Sequence, residues 1–330
     1  MKKKTVLTSA LAILLCASCF SACGTGDQKI EFGNFWNDNE ILYDANINET
    51  LTYNVSFEQG SGYGDLGYEI SYNNGTYVTN LQSVKLDNGK DGYKYTTTLE
   101  IDVTYQYKTD VPVVLHDRVY TETYLHDKHT SLRPVSSKKQ VLSHSPVGGN
   151  AKPKSSAECC NTFIYEVFTQ YGEDDEAITQ ITNTSDPEKI KEFTQEFDPT
   201  SKKYSWLDNE TLLLGLRAIP ASVDTATVKV YSPYVDRMQK ISLTFSDPDE
   251  EEGQEFRLSM NGEEAKNYAI AYRSVTMKIN ESNSGATQTA WIAKRSQGIN
   301  NTYRNMMLRL ETPIAYSIGT LVYDLRSVNR

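Results

Sequence analysis

A net charge of −10 over 330 residues excludes the basic footprint by which a chain holds nucleic acid, and it argues against extended electrostatic contact with anionic headgroups. With 38% hydrophobic and 23% charged residues the composition is that of a folding globular protein, long enough for one large or two modest domains. Five cysteines, three of them before residue 24, supply no disulfide framework, so the core must rest on burial.

The first element is an address. Met1-Lys2-Lys3-Lys4 gives a positive start, Val6 to Leu15 an apolar run of ten residues, and Phe20-Ser21-Ala22 lead into Cys23. A run this short cannot cross a hydrocarbon core about 30 Å thick, and the order charge, apolar, small reads as an export signal. A cysteine at the cleavage point resembles the lipobox of bacterial lipoproteins, in which that thiol receives a diacylglyceryl group and becomes the new N-terminus. The resemblance implies loss of residues 1–22, palmitate-type acyl chains on Cys23, and residence on the extracytoplasmic face of a membrane of the bacterial cell envelope. Two or more acyl chains anchor stably where one binds marginally. Cys19, in Cys16-Ala17-Ser18-Cys19, is a competing attachment point. Removal of the signal takes away three lysines and no acid, leaving a net charge of −13. Gly24, where an aspartate would signal inner-membrane retention in some Gram-negative lipoproteins, leaves both inner and outer membranes open.

Residues 23–48 are polar and rich in Asn and Asp, suited to a lipidated tether. Period-two alternation then takes over, with Leu51, Tyr53, Val55 and Phe57 on one strand face. Tyr68–Tyr72 and Thr76–Leu86 come next, with Asn73-Asn74-Gly75 between them as a hairpin turn signal. A long strand from Tyr93 to Tyr107 places Tyr95, Thr97, Leu99, Ile101, Val103 and Tyr105 together, and Arg118–Leu125 with Leu132–Leu142 forms a hairpin turning through His126-Asp127-Lys128-His129. The 22 tyrosines suit half-buried sheets, ring packed and hydroxyl wet. Residues 143–156 are rich in Ser, Gly, Pro and Lys, a candidate subdivision or inserted loop. Cys159 and Cys160 are adjacent, which matches neither zinc spacing nor Cys-x-x-Cys.

Strands resume at Thr162–Gln170, Ala177–Thr182 and Ile190–Phe197. One helix stands out: Asp208 caps it, Leu207 and Leu212 form a hydrophobic staple, Leu212, Leu213 and Leu216 form a stripe, and Pro220 ends it. Ala226–Tyr231, Met238–Phe245, Glu255–Met260, Tyr268–Ile279, Ala286–Ala293, Tyr303–Leu310 and Gly319–Leu325 complete the strands. The expected fold is mostly β, a curved antiparallel sheet or half-barrel over 49–326 with one conspicuous helix packed against it and a tail at 327–330.

Glu49-Thr50-Leu51-Thr52-Tyr53-Asn54-Val55-Ser56 resembles the first strand of a bacterial exported-protein family known as domain of unknown function 3108. Asp117-Arg118-Val119-Tyr120-Thr121-Glu122 with Leu132-Arg133-Pro134 is similar to its central hairpin. Asp208 to Pro220, with Leu216-Arg217-Ala218-Ile219-Pro220, is similar to its helix, and Thr227–Phe245 to the hairpin after that helix. Gln288-Thr289-Ala290-Trp291-Ile292 and Thr312-Pro313-Ile314-Ala315-Tyr316-Ser317-Ile318-Gly319 to Leu325 are similar to its closing strands. The resemblance spans most of 49–326. It implies a curved antiparallel sheet around a helix in an exported protein, and it carries over no catalytic residues. The chain departs from the pattern at Lys294-Arg295-Ser296-Gln297-Gly298 and in the long acidic stretch Asp247–Glu252.

The remaining motifs carry little chemistry. Gly62-Tyr63-Gly64-Asp65-Leu66-Gly67 spells the dinucleotide fingerprint, but a strand comes after it where a helix N-terminus would be needed. His126 and His129, with Asp127 and nearby His116-Asp117, form the one histidine cluster that would suit zinc; its spacing matches no metalloprotease, and turn tips collect polar residues. Asp247-Pro248-Asp249-Glu250-Glu251-Glu252-Gly253 fails the calcium-loop register. No Gly-x-Ser-x-Gly elbow is present, and His144 sits between Ser143 and Ser145 in the Ser/Gly-rich break. The sequence therefore assigns no catalytic, cofactor or metal residue and one modification site, Cys23. The leading expectation is a non-enzymatic, lipid-anchored envelope protein binding an apolar small molecule, a polysaccharide or an envelope protein. A carrier of an apolar or lipid ligand in the sheet concavity is the alternative, and a metal-dependent hydrolase using the His126/His129 region comes third.

Overall fold

A computed structural model describes residues 47–126, 132–172, 176–186, 188, 190–196, 206–219, 223–246, 254–279, 287–294 and 305–330. The period-two alternation is realised strand by strand. β1 (Asn48–Gln59) turns Leu51, Tyr53 and Val55 inward, and β2 (Glu69–Lys85) does the same with Tyr72, Tyr77 and Leu81. β3 (Asp91–Gln106) buries every odd-numbered residue from Tyr93 to Tyr105. β4 (Val113–His126), β5 (Pro134–Pro146), β6 (Cys160–Tyr171), β7 (Glu176–Thr182) and β8 (Lys191–Glu196) continue the meander. The short β9 (Trp206–Asp208) leads through a 3-10 turn, Asn209–Thr211, into α1 (Leu212–Arg217). The chain then forms β10 (Thr225–Ser232), β11 (Arg237–Ser246), the β12 (Gln254–Met260) and β13 (Lys266–Ile270) hairpin, β14 (Tyr272–Ile279), β15 (Gln288–Ala293), β16 (Met307–Pro313) and β17 (Gly319–Asn329).

Backbone pairing makes one curved sheet with β1 near its middle. From β1 the order runs one way through β2 to β8, each antiparallel to the last. The other way it runs β17, β16, β15, β14, β11, β10, again antiparallel, with β9 added parallel to β10. The β12–β13 hairpin is an excursion whose end lies parallel to β17 at Ser259 and Met260. The sheet's far ends meet through side chains. Tyr165 stacks on Tyr234 with ring centroids 3.9 Å apart, the Thr179 and Tyr231 hydroxyls lie 3.3 Å apart, and Lys191 Nζ stands 3.4 Å from Asp236 Oδ2.

The expected curved β architecture is present, and four details differ. Asn73-Asn74-Gly75 does not reverse the chain: β2 is one strand of 17 residues with a bulge there, Asn74 taking φ 53°. A Cβ on Gly75 would stand 2.5 Å from the Val55 carbonyl oxygen, so the glycine lets β1 approach. The Tyr268–Ile279 strand is split into β13 and β14, which pair with different partners. Residues 143–146 extend β5, paired with β6 down to Pro146–Cys160. The tyrosines are also drier than expected. Tyr53, Tyr68 and Tyr105 are buried, and their hydroxyls donate to the carbonyls of Met307, Val147 and His144 at 2.9, 2.7 and 2.6 Å. A closed interior leaves each hydroxyl to find an acceptor in the protein.

The helix is shorter and more buried than its stripe suggested. α1 has six residues, every one buried, and lies within the curve of the sheet. A helix of that length does not persist alone in water. Burial of Leu212, Leu213, Leu214 and Leu216 holds it, each worth about 1.5–3 kcal/mol relative to exposure.

Candidate functional site

Three polar clusters lie inside the curve, where each charge needs a partner. The first joins β1 and Arg330, just past β17, to α1. Glu49, inward on β1 and 2% exposed, accepts from Arg217 Nη1 at 2.6 Å through one oxygen. Its other oxygen accepts from Arg330 Nε and Nη2 at 2.9 and 2.7 Å. Burial pushes the Glu49 carboxyl up, and the two guanidinium charges outweigh it and hold the pKa below the ordinary glutamate value. Arg217 Nε donates to the Asn305 carbonyl, and Asn305 returns a bond to the Arg217 carbonyl, while Arg217 Nη2 has no partner among the described residues. This cluster is a clamp.

The second cluster seats the start of the helix segment. Asp208, fully buried, is a cap as expected, but of the 3-10 turn that leads into α1 and not of α1 itself, whose N-cap is Thr211: the Asp208 Oδ1 accepts the Glu210 amide at 2.7 Å. Its Oδ2 accepts from Ser137 Oγ of β5 at 2.7 Å and from the Tyr171 hydroxyl of β6. Glu210 Oε1 accepts from Lys139 Nζ of β5 at 2.8 Å and from Asn209 Nδ2 at 3.0 Å, and both charged groups are buried. Burial and then the Glu210 charge push the Asp208 carboxyl up to about 6, against the pull of its hydrogen bonds. Glu210 thus holds the one ammonium, which also feels the Asp208 charge.

The third cluster lies at the opposite end of the strands from residue 48. The β4–β5 ladder ends at Arg118–Leu142, and beyond it the Asp117 carboxylate replaces a backbone acceptor. It accepts the His144 amide at 3.0 and 3.1 Å, and its Oδ1 lies 2.6 Å from His144 Nδ1. Burial raises the Asp117 pKa, and the His144 bonds and charge pull the other way. Tyr72 and Cys160 both feel the Asp117 charge, and burial pushes the Cys160 thiol up to about 11. A thiol held protonated is a poor nucleophile. The Tyr72 hydroxyl and Ser143 Oγ, both buried, have no hydrogen-bond partner among the described residues. At the mouth, Tyr316 is 45% exposed with φ 62°, and its ring lies over Gly148. Among the described residues no hydroxyl or thiol bonds the His144 ring as a triad nucleophile would.

The structure separates His116 from His126. His116 and His126 lie ten residues apart on β4, about 33 Å along an extended strand. His116 Nδ1 is 2.9 Å from Asp102 Oδ1 on the outer face, His126 ends β4, and His129 and Asp127 lie outside the described residues. Among the described residues no group of three His, Cys, Asp or Glu is placed to hold a metal ion, and no helix is long and apolar enough to cross a membrane. The glycine-rich stretch at 62–67 forms a three-residue 3-10 turn leading into β2, so no helix N-terminus faces a phosphate there. Cys23, Cys19 and the acidic stretch 247–252 lie outside the described residues.

Sequence patterns alone did not single out Lys139, Glu49 or Arg217 as site residues, and Asp117 entered only beside His116 in the histidine cluster. A signal existed for three of them: Glu49, Asp117 and Lys139 share the inward phase of Leu51, Val119 and Val141. A charge in phase with the core announces a buried partner.

No family model matches the chain, and no curated protein does. Among solved structures it is similar to a β-barrel-like protein of domain of unknown function DUF1849 from Brucella abortus. That likeness is 9% identical, covers 86% of this chain and 97% of the other, and has a TM-score of 0.46, which carries no functional argument.

Proposed function

We propose that the protein is a lipid-anchored, non-enzymatic binding protein of the bacterial cell envelope, held at an extracytoplasmic membrane face through Cys23. The lipobox-like Phe20-Ser21-Ala22-Cys23 and the resemblance to the exported 3108 family support the address. The observation that carries the binding mode is the filled concavity: Leu212, Leu213, Leu214 and Leu216 occupy the space where a carrier would hold an apolar ligand. Recognition then falls to the outer face and rim, with a polysaccharide or an envelope protein as partner. Asp117 lies level with Val55 across the ladders, about 23 Å along β1 from Asn48, where the tether joins the sheet.

Expression of the full chain in a lipoprotein-processing bacterium with labelled palmitate tests the address. Label and membrane association are expected for the wild type and for Cys19→Ser, and both are lost in Cys23→Ser. An unlabelled wild type, or label retained in Cys23→Ser and lost in Cys19→Ser, would overturn the assignment. Stoichiometric lipid in the purified, anchor-free variant Cys23→Ser, detected by mass spectrometry, would restore the carrier reading.

A further inference from the structure

We propose that the Asp208–Glu210–Lys139 seat is a proton-linked latch: with one proton taken up it is neutral and holds the 206–219 segment closed, and without that proton it carries a buried negative charge and releases the segment more readily. The latch is independent of the lipid anchor and of the partner.

The geometry supplies the asymmetry. At the 217 end, Glu49 faces two guanidinium groups, so its carboxylate has no need of a proton and the clamp persists through the neutral range. At the 208 end, two buried carboxylates face a single ammonium. Asp208 is met by Ser137 of β5, Tyr171 of β6 and Glu210 and Thr211 of its own segment, and its charge reaches Lys139 and Tyr231; Tyr165 of β6 stands by Lys139 and Glu210, Asn209 bonds Glu210, and Thr179 of β7 bonds Tyr231. Lys139 is the one cation in that set of described residues. Burial raises the tyrosine pKa values, so their hydroxyls stay neutral and offer no second positive charge.

Opening at this end would uncover more than a loop. Behind the seat runs an inward polar row across neighbouring strands, Thr79, Thr97, Thr121 and Lys139, paired in register. All four are buried, and Thr97 and Thr121 share a hydroxyl bond of 2.7 Å. A latch that loosens above about pH 6 and closes below it would gate access to that row, hinged at Arg217.

Linkage sets the sign. A carboxyl whose pKa is raised in the closed state stabilises that state below its open-state value, near 3.9, and the gain is lost as pH rises through about 6. The opening equilibrium of the segment is then about tenfold larger at pH 7.5 than at pH 5. Hydrogen exchange of peptides covering 206–219 in the mature protein, corrected for intrinsic rates, reads this directly. Protection is expected to fall about tenfold over that range in the wild type and to be nearly flat in Asp208→Asn. Glu210→Gln, which removes the second carboxylate, is expected to move the transition to lower pH, while Glu49→Gln leaves the slope in place. Wild-type protection independent of pH, or a slope retained in Asp208→Asn, would overturn the latch. Should Asp208→Asn fail to fold, titration of the Asp208 carboxyl carbon by NMR in the wild type decides the matter, a midpoint below about 4.5 being the refuting result.

Discussion

Replacing Glu49 by Gln keeps the shape of the side chain and removes the charge that Arg217 and Arg330 share. Arg330 is 30% exposed at its side chain and can turn to water, but Arg217 is 5% exposed and cannot. Its Nη2 already lacks a partner among the described residues, and the neutral Asn305 carbonyl that its Nε bonds supplies no counter-charge. Breaking one partner of a buried pair costs about 3–5 kcal/mol, because the remaining charge stays desolvated. At roughly 2–4 °C per kcal/mol for a chain of a few hundred residues, the melting temperature drops by about 6–20 °C, read by calorimetry or circular dichroism. Removing both charges in Glu49→Gln with Arg217→Met should recover most of the loss, since the pair's own desolvation cost goes with it. A single mutant within about 2 °C of wild type, or a double mutant as unstable as the sum of its parts, would refute the clamp. The wild-type contribution is present above the ordinary glutamate pKa of 4.5 and is lost as pH falls through the lowered folded value.

The Asp117 cluster yields two further outcomes. Tyr72→Phe removes a buried hydroxyl that has no partner among the described residues, so the urea midpoint should stay or rise, by up to about 1 kcal/mol equivalent; a loss of more than about 1 kcal/mol would mean that the hydroxyl is bonded. Cys160, with its pKa raised to about 11, should react with a disulfide reagent at pH 7.5 far more slowly in the native protein than after denaturation, and equal rates would remove burial as the cause.

Much of the sheet was legible because its alternation is local. The face carrying Tyr95 to Tyr105 needed nothing beyond a count of two, and Asp208 announced itself as a cap by the leucine run just downstream of it. The parts that were not legible depend on distant chain. Asn73-Asn74-Gly75 has turn chemistry, yet the bulge wins because Gly75 faces β1 and Ile101, contacts that no window of ten residues contains. The depth of the tyrosines was hidden for the same reason: Tyr53 donates to Met307, 254 positions away. His126 and His116 looked like neighbours because sequence distance is short where an extended strand is long. Glu49 and Arg217 met only once the sheet had curved around α1.

The position of β1 between β2 and β17 sets an order of events. Its first partner is available as soon as residue 85 has been made, but its second arrives more than 250 residues later in the chain than β1 itself, as in the pairing of Thr50 with Asn329. Closing a loop of that length costs about 5 kcal/mol of chain entropy before any contact repays it. The first half of the sheet can therefore form as an incomplete meander with an open edge, and the last strand to be made must find the first. Completion of the sheet should be slow and late, governed by the docking of β17 on β1.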